Sequence, residues 1–226
     1  MAKQNLKKKE ALQQEKINET VSKTEQFFNE NKKIIYGALI AILVIGLGIL
    51  AYSQWILKPR QAEAMEQKFP AEAAFQAGAY DLALNGDGNV LGFLDIIDEY
   101  GTKGGKDIYL YAGICELQLG NFEEAIKYLK KYKGKEHILS ARALACLGDA
   151  YVGLEDYSTA VSYFEKAADL SDDIYSADYL LKAGVTYEEL GENDKALACY
   201  KRIQDNWPQS IEGYDIDKYI TRIESK

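Results

Sequence analysis

Few side chains in this sequence combine the types and spacing that catalysis or metal binding needs. The one histidine, His137, lies in the stretch KGKEHIL, with no obvious nucleophile or orienting acid near it. The cysteines Cys115, Cys146 and Cys199 form no C-x-x-C pair, whereas a zinc site needs about four ligands in tetrahedral reach. Their odd number also opposes a disulfide framework. We expect them to be small apolar residues in helix packing, with no metal site.

The acidic residues give no catalytic pattern either. Three pairs (Glu123/Glu124, Asp172/Asp173 and Glu188/Glu189) are typical of solvated helix faces. The stretch 81–89 has scattered side-chain oxygens, but not in the order of a calcium loop. No glycine loop followed by Lys-Ser/Thr is present to bind phosphate. The sequence therefore predicts that the protein is not an enzyme and has no cofactor.

Composition and charge favour a helical protein that does not bind nucleic acid. Only three of the 226 residues are proline, whereas β architectures need many turn residues. The net charge of −8 divides unevenly, with +3 in residues 1–33 and −11 in residues 58–226. An acidic domain repels a phosphate backbone, so nucleic acid is excluded as a partner.

A run of 24 uncharged residues at 34–57 (IIYGALIAILVIGLGILAYSQWIL) predicts a transmembrane helix. A helix of this length extends roughly 36 Å, and the hydrocarbon core of a bilayer is ~30 Å thick. Lys32 and Lys33 precede the run, and Lys58 and Arg60 follow it. A buried core helix is seldom so long and apolar on every face. A signal peptide cleaved after 51–53 is the alternative, although its apolar region is usually shorter.

The lysine distribution predicts the orientation of this span. Eight lysines precede it, and only Lys58, Arg60 and Lys68 follow closely. By the positive-inside rule, residues 1–33 form a cytoplasmic arm and residues 58–226 lie across the membrane. Gly37 and Ala41 form one small-x-x-x-small pair, a hint of helix pairing and self-association.

Residues 106–210 contain three copies of one pattern, at offsets of 35 and 36 residues. The copies align in columns: Gly113, Gly148 and Gly184; Leu119, Leu154 and Leu190; Ala125, Ala160 and Ala196; Leu129, Phe164 and Tyr200. Two helices pack closely only where one side chain is small, so the glycine and alanine columns predict helix crossings. Between them, LGNFEEA, LEDYSTA and LGENDKA predict the turns.

These columns resemble the tetratricopeptide repeat (TPR) family. The matching residues are LGDAY at 147–151 with Ala160, Phe164 and Ala167, and AGVTY at 183–187 with Ala196, Tyr200, Ile203 and Pro208. The first copy departs from the pattern at Glu116 and Tyr132. The resemblance implies an all-α fold, an α-solenoid of helix pairs that binds other proteins or extended peptides.

The whole chain is expected to divide into five segments. They are a charged arm (1–33), a transmembrane helix (34–57), a connecting helix with a degenerate first repeat (58–105, the repeat itself at 71–105), three repeats (106–210) and a capping helix (211–226). In the degenerate repeat, Gly78, Leu84 and Leu94 fall 35 residues before column members. The layout resembles bacterial inner-membrane proteins with repeats in the periplasm, among them an accessory subunit of the Sec translocon linked to chaperones.

Two functions follow from this resemblance. The first is an interaction scaffold or co-chaperone on the periplasmic face of the inner membrane, beside the translocon. The alternative is a structural component that self-associates within an envelope assembly and binds no client.

The family geometry also implies which residues line the concave groove. They are Leu110, Ile114, Leu117, Arg142, Asp149, Val152, Asp178, Leu181, Val185 and Glu188. This surface suits a peptide of apolar and basic character, although any of its apolar side chains could instead be buried against neighbouring helices. The groove lacks the lysine, arginine and asparagine set of repeats that bind a terminal carboxylate, so that function is not expected.

Overall fold

The computed structural model describes the backbone of residues 2–225 and the side chains of residues 25, 27, 28 and 30–225. Most charged side chains of the arm 1–33 therefore lie outside the described residues. In residues 2–225 the regular secondary structure is helical, with no strand. It divides into two compact units, Met1–Pro59 and Arg60–Lys226. The expected all-α class is confirmed.

The first unit is built from one long helix. Helix α1 runs from Ala2 to Tyr52, and a π-helical turn follows at Ser53–Leu57. The helical stretch Glu30–Gln76 contains an apolar window that is long enough to cross a membrane, and none of that window is buried. The sequence did not indicate the π-helical turn, in which the backbone bonds span one residue more than in an α-helix.

The second unit contains ten helices within Lys58–Glu224. They are α2 (Lys58–Gln76, which begins just before the unit boundary), α3 (Tyr80–Asn85), α4 (Phe93–Tyr100), α5 (Ile108–Gln118), α6 (Phe122–Leu129), α7 (His137–Gly153), α8 (Tyr157–Ser171), α9 (Tyr175–Glu189), α10 (Asn193–Asn206) and α11 (Ile211–Glu224). Three of the predicted repeats are the pairs α5/α6, α7/α8 and α9/α10.

Each pair is joined by the same tight turn. The amide of Asn121 donates to the carbonyl of Glu116, and the amides of Asp156 and Glu192 repeat this bond five residues back along the chain. The residue before each donor has a positive φ: Gly120 (81°), Glu155 (60°) and Gly191 (73°). This geometry satisfies the last carbonyls of the first helix and reverses the chain. The three predicted turns are thus confirmed.

The predicted glycine column marks the close helix crossings. A Cβ on Gly113 would lie 2.6 Å from Leu129 Cγ, and one on Gly148 would lie 2.7 Å from Phe164 Cδ1. At Gly184 the same position is occupied by the ring of Tyr200. The three alanines of the turn column are fully buried. The large side chain from the second helix therefore fills the space next to each glycine, where the first helix has no side chain.

Where the first copy departs from the repeat pattern, a hydrogen bond replaces an aromatic ring. Glu116 is 5% exposed and accepts a 2.8 Å hydrogen bond from Asn121 Nδ2 in the following turn. A buried carboxylate needs such a partner. Tyr132 is likewise buried in the core between the first and second repeats.

The region before the repeats differs from the alignment. Gly78 was aligned with the helix-crossing glycines, but it lies in the turn between α2 and α3 with φ at 75°. A second break follows at Gly86 (φ 70°), where the chain passes so close to Val90 and Gly92 that a Cβ would clash with backbone atoms. The helix that this alignment implies is therefore interrupted at Gly78, and α3 ends before Gly86, because both glycines adopt conformations that a helix excludes.

A buried lysine ties α2 to the repeats. Lys68 is 2% exposed, and its Nζ lies 2.9 Å from both Glu72 Oε1 and Asp107 Oδ2. Burial lowers the pKa of Lys68, but the hydrogen bonds and charges of the two carboxylates outweigh it and raise the pKa above its usual value. The charged lysine thus links α2 to the start of α5.

The predicted capping helix is confirmed as α11. Ser210 begins it, since the side chain of Ser210 accepts a 2.9 Å hydrogen bond from the amide of Gly213. Ile216, Ile220 and Ile223 are buried against the last repeat. Their spacing of four and three residues places them on one helical face.

The glycine column can be tested with Gly148→Ala. Alanine favours a helix by up to about 1 kcal/mol, but forcing a methyl group against the buried Phe164 ring costs about 1–3 kcal/mol. We therefore expect the free energy of unfolding to fall by about 1 kcal/mol, measured by urea denaturation in detergent. In a Phe164→Leu background the same change should cost less. A Gly148→Ala variant more stable than the parent would contradict this account of the crossing.

Candidate functional site

The first helices of the three repeats (α5, α7 and α9) line two adjoining cavities. The polar cavity, of about 270 Å³, is lined by Ile114, Leu117, Gln118, Arg142, Ala145, Cys146, Asp149, Tyr175, Asp178, Tyr179 and Lys182. The apolar cavity, also of about 270 Å³, is lined by Asp149, Val152, Phe164, Leu181, Lys182, Val185, Thr186 and Tyr219. Both cavities include Asp149 and Lys182, so together they form one groove across three helices and α11.

An ion pair separates the two cavities. Lys182 Nζ lies 2.7 Å from Asp149 Oδ2 and 2.9 Å from Asp149 Oδ1, and about a third of each side chain is exposed. Burial lowers the pKa of Lys182, but the charge and hydrogen bonds of Asp149 outweigh it and raise the pKa. Lys182 therefore stays charged near neutral pH, and its contact with Asp149 joins α7 to α9.

Asp178 gives the polar cavity an incompletely neutralised negative charge. Burial raises the pKa of its carboxyl group, and the nearby carboxylates Glu212 and Asp149 add to this, while Lys182 and Arg142 oppose it. Among the described residues, no hydrogen bond or ion pair reaches this carboxylate. A desolvated carboxylate without such a partner favours a cationic or hydrogen-bond-donating ligand.

The apolar cavity has almost no free polar group. The Thr186 hydroxyl donates a 2.7 Å hydrogen bond to the carbonyl of Lys182 in the same helix. The Asp149–Lys182 ion pair lines part of this cavity, and the remaining surface comes from aliphatic side chains and from two rings, Phe164 and Tyr219. Val185 is 40% exposed. The cavity is far larger than the ~30 Å³ of a water molecule, so it has room for a side chain.

Eight of the ten residues expected to line the groove do line one of these cavities. They are Ile114, Leu117, Arg142, Asp149, Val152, Asp178, Leu181 and Val185. Whether they bind a ligand stays a prediction. The other two, Leu110 and Glu188, lie elsewhere.

Leu110 belongs to the core instead. It is 2% exposed and packs with Leu129, Ala143 and Leu147 between the first two repeats. It lies in the first turn of α5, and its side chain faces the next repeat and not the groove.

Glu188 faces the end of the solenoid. Its carboxylate accepts a 2.7 Å hydrogen bond from Tyr200 Oη and pairs with Arg222 of α11. At this level α11 packs against α9 and α10, so the Glu188 carboxylate makes its contacts within the fold.

The sequence did not indicate several of the groove residues, among them Lys182, Tyr175, Tyr179 and Tyr219. Tyr219 could have been found by treating α11 as the first helix of a further repeat, since it follows Val185 by 34 residues, close to the repeat offset. Lys182 gives no such signal, because its partner Asp149 belongs to the previous repeat.

The residues considered first for chemistry are not assembled into a reactive site. His137 is exposed as the first residue of α7. Burial raises the pKa of the Cys115 thiol to about 12 and those of Cys146 and Cys199 to about 11, which suppresses the reactive thiolate. Among the side chains that the structure describes, no group of three or more His, Cys, Asp or Glu could hold a metal ion.

Comparison with known proteins identifies the repeats. Residues 107–135 and residues 147–211 match two family models of the tetratricopeptide repeat. Two crystal structures of MamA have similar folds at 22% identity. One has a TM-score of 0.52, with 69% of this chain and 92% of that chain covered; the other has 0.56, with 74% and 83%. No curated protein matches the chain. This chain is therefore an α-solenoid with the MamA fold, and it carries tetratricopeptide repeats at residues 107–135 and 147–211.

Proposed function

We propose that the protein is a membrane-anchored scaffold or co-chaperone that binds an extended or helical peptide segment of another protein in this groove. The observation that carries the proposal is the pairing of a polar and an apolar cavity on either side of the Asp149–Lys182 ion pair. Groove-shaped sites with an apolar pocket and a few polar groups suit peptide recognition. TPR proteins are typically scaffolds without catalytic activity, and we propose no reaction.

The two cavities define the chemistry of the peptide. A basic side chain in the polar cavity would give the Asp178 carboxylate a positively charged partner. An apolar side chain in the apolar cavity would cover Val185 and the Tyr219 ring. A segment with both residue types one or two turns apart would therefore fit both cavities together.

The location is part of the same proposal. Residues 34–57 would span the inner membrane of a bacterium, with residues 1–33 in the cytoplasm and the repeats in the periplasm beside the Sec translocon. The apolar, unburied window within Glu30–Gln76 supports the span. The eight lysines before it support the orientation.

Protease treatment of cells tests this topology. In spheroplasts, added protease should digest residues 58–226 and leave the arm protected, because only the repeats would lie outside the membrane. Carbonate extraction should leave the intact chain in the membrane fraction. Protection of residues 58–226 in intact spheroplasts would show the opposite orientation. Release of the chain by carbonate would contradict the membrane anchor.

Photo-crosslinking in cells tests the groove. A photoreactive amino acid at Gln118, which is exposed on the wall of the polar cavity, should give adducts with other proteins. Val185→Lys should reduce these adducts about tenfold or more, because it places a charge in the apolar cavity.

The matched control is Ile174→Lys, at a residue that is 58% exposed and lines neither cavity. It should leave the adducts unchanged, and translocon or chaperone subunits among them would support the proposed location. Adducts with the chain itself alone, unaffected by Val185→Lys, would favour the structural, self-associating function instead.

Asp178 provides a test that needs no known partner. Its raised pKa means that the folded state binds this proton more tightly than the unfolded state, so stability falls as pH rises through the folded pKa. Asp178→Asn should therefore raise the thermal unfolding temperature at pH 7 and have little effect below about pH 3. It should also weaken the Gln118 adducts.

The isosteric control Asp149→Asn should act in the opposite direction. It removes the partner of Lys182 and should lower stability at pH 7 by up to about 1 kcal/mol. A loss of stability in Asp178→Asn as large as that in Asp149→Asn would mean that Asp178 is held by the fold and is not available to a ligand.

A further inference from the structure

A group of lysines on the second unit has the opposite sign to the rest of it. Six exposed lysines gather at the start of α5, along α6 and in the α6–α7 connection, and we call them the basic patch: Lys106, Lys127, Lys130, Lys131, Lys133 and Lys135. Residues 58–226 as a whole carry a net charge of −11. The groove described above does not use any of these lysines.

Tyrosine rings join the patch across three helices. Lys131 Nζ lies 5.8 Å from the ring centroid of Tyr109 on α5 and 5.4 Å from that of Tyr128 on α6. Lys130 Nζ lies 2.9 Å from Tyr151 Oη on α7. These contacts place Lys130 and Lys131 each beside an aromatic ring.

The connection between α6 and α7 completes this surface. Lys135 and Lys106 line a single cavity of about 490 Å³, with Tyr132 in its wall. Tyr132 is 8% exposed, so it anchors in the core a connection whose Lys133 and Lys135 point outward.

Three of the acidic residues beside the patch already have partners. Asp107 is 2.9 Å from Lys68, Glu124 is 2.6 Å from Lys127, and Glu136 accepts a 3.1 Å hydrogen bond from the amide of Lys135. Among the described residues, no carboxylate forms an ion pair with Lys106, Lys130, Lys131, Lys133 or Lys135. This charge is therefore available to an external anion.

We propose that the basic patch docks the repeats onto the anionic headgroups of a lipid bilayer. The inference rests on the proposed membrane anchor, which precedes residues 60–226 in the same chain. Lysine and tyrosine together suit the headgroup region, where cations meet lipid phosphates and phenol rings lie at the interface. The net negative charge of residues 58–226 opposes approach to the same surface, so the basic patch is the face that favours it.

The expected strength is measurable. Each lysine close to an anionic surface raises the ratio of docked to undocked molecules by about fivefold. The attraction is screened within about 8 Å at physiological salt and over shorter distances at higher salt, so docking should weaken as salt is added.

The experiment is hydrogen exchange of the full chain in nanodiscs. One preparation contains phosphatidylcholine alone, and the other contains phosphatidylcholine and phosphatidylglycerol at a 3:1 ratio. The irregular segment 131–136 should exchange about tenfold more slowly in the anionic discs at low salt, and 0.5 M salt should remove the difference. Equal exchange in the two lipids would overturn the proposal.

Charge reversal tests the location. The variant K131E/K133E/K135E should lose the protection, whereas K195E/K201E/K218E, with the same change in net charge at exposed lysines elsewhere, should keep it. Loss of the protection in both variants would mean that it depends on net charge alone, and would contradict docking through the basic patch.

Two further readouts keep the interpretations apart. Flotation of the full chain with phosphatidylcholine vesicles measures membrane insertion of the anchor alone. A chain that fails to float would contradict the proposed span and not the basic patch. Protection that appears in phosphatidylcholine discs only as protein density rises would assign the patch to the acidic surface of a second copy, and would overturn lipid docking.

Discussion

The contact between a glycine of one helix and a large side chain of the next determines the distance between the helices of every repeat. Gly113, Gly148 and Gly184 each face the Leu, Phe or Tyr that their partner helix supplies. Because protein interiors are packed densely, this contact leaves little freedom in how the two helices cross. Its repetition at offsets of 35 and 36 residues aligns the first helices side by side, and the groove between them follows from that alignment.

The groove contains two charged features, the Asp149–Lys182 ion pair and the Asp178 carboxylate. Asp149 and Lys182 join adjacent repeats with a charged contact between the two cavities, and about a third of each side chain is exposed. Asp178 is kept nearby without a comparable partner, at some cost to stability. In the proposed function, this cost to folding would follow from keeping Asp178 for a ligand.

Much of this architecture could be predicted from the sequence, because glycine and alanine columns report helix crossings directly. The turns also followed from residue type, although Glu155 occupies a left-handed position that the other repeats give to glycine. The predictions failed where tertiary contacts decide. Leu110 and Glu188 have the spacing of groove residues. The neighbouring repeat covers Leu110, however, and Glu188 pairs with Arg222 of α11. Gly78 matched the column by spacing, but its positive φ ends a helix.

The buried lysine of α2 has a mechanical consequence. Helix α2 is held to its neighbours at Ala64, Lys68 and Ala71, and the chain enters the second unit at the start of this helix. Any tension transmitted along the backbone into Arg60 therefore loads these contacts in shear before it reaches the turns of the repeats. Since Lys68 is enclosed, the ionic part of that resistance should depend little on salt. The repeats would keep their groove geometry under pulling forces that already strain α2.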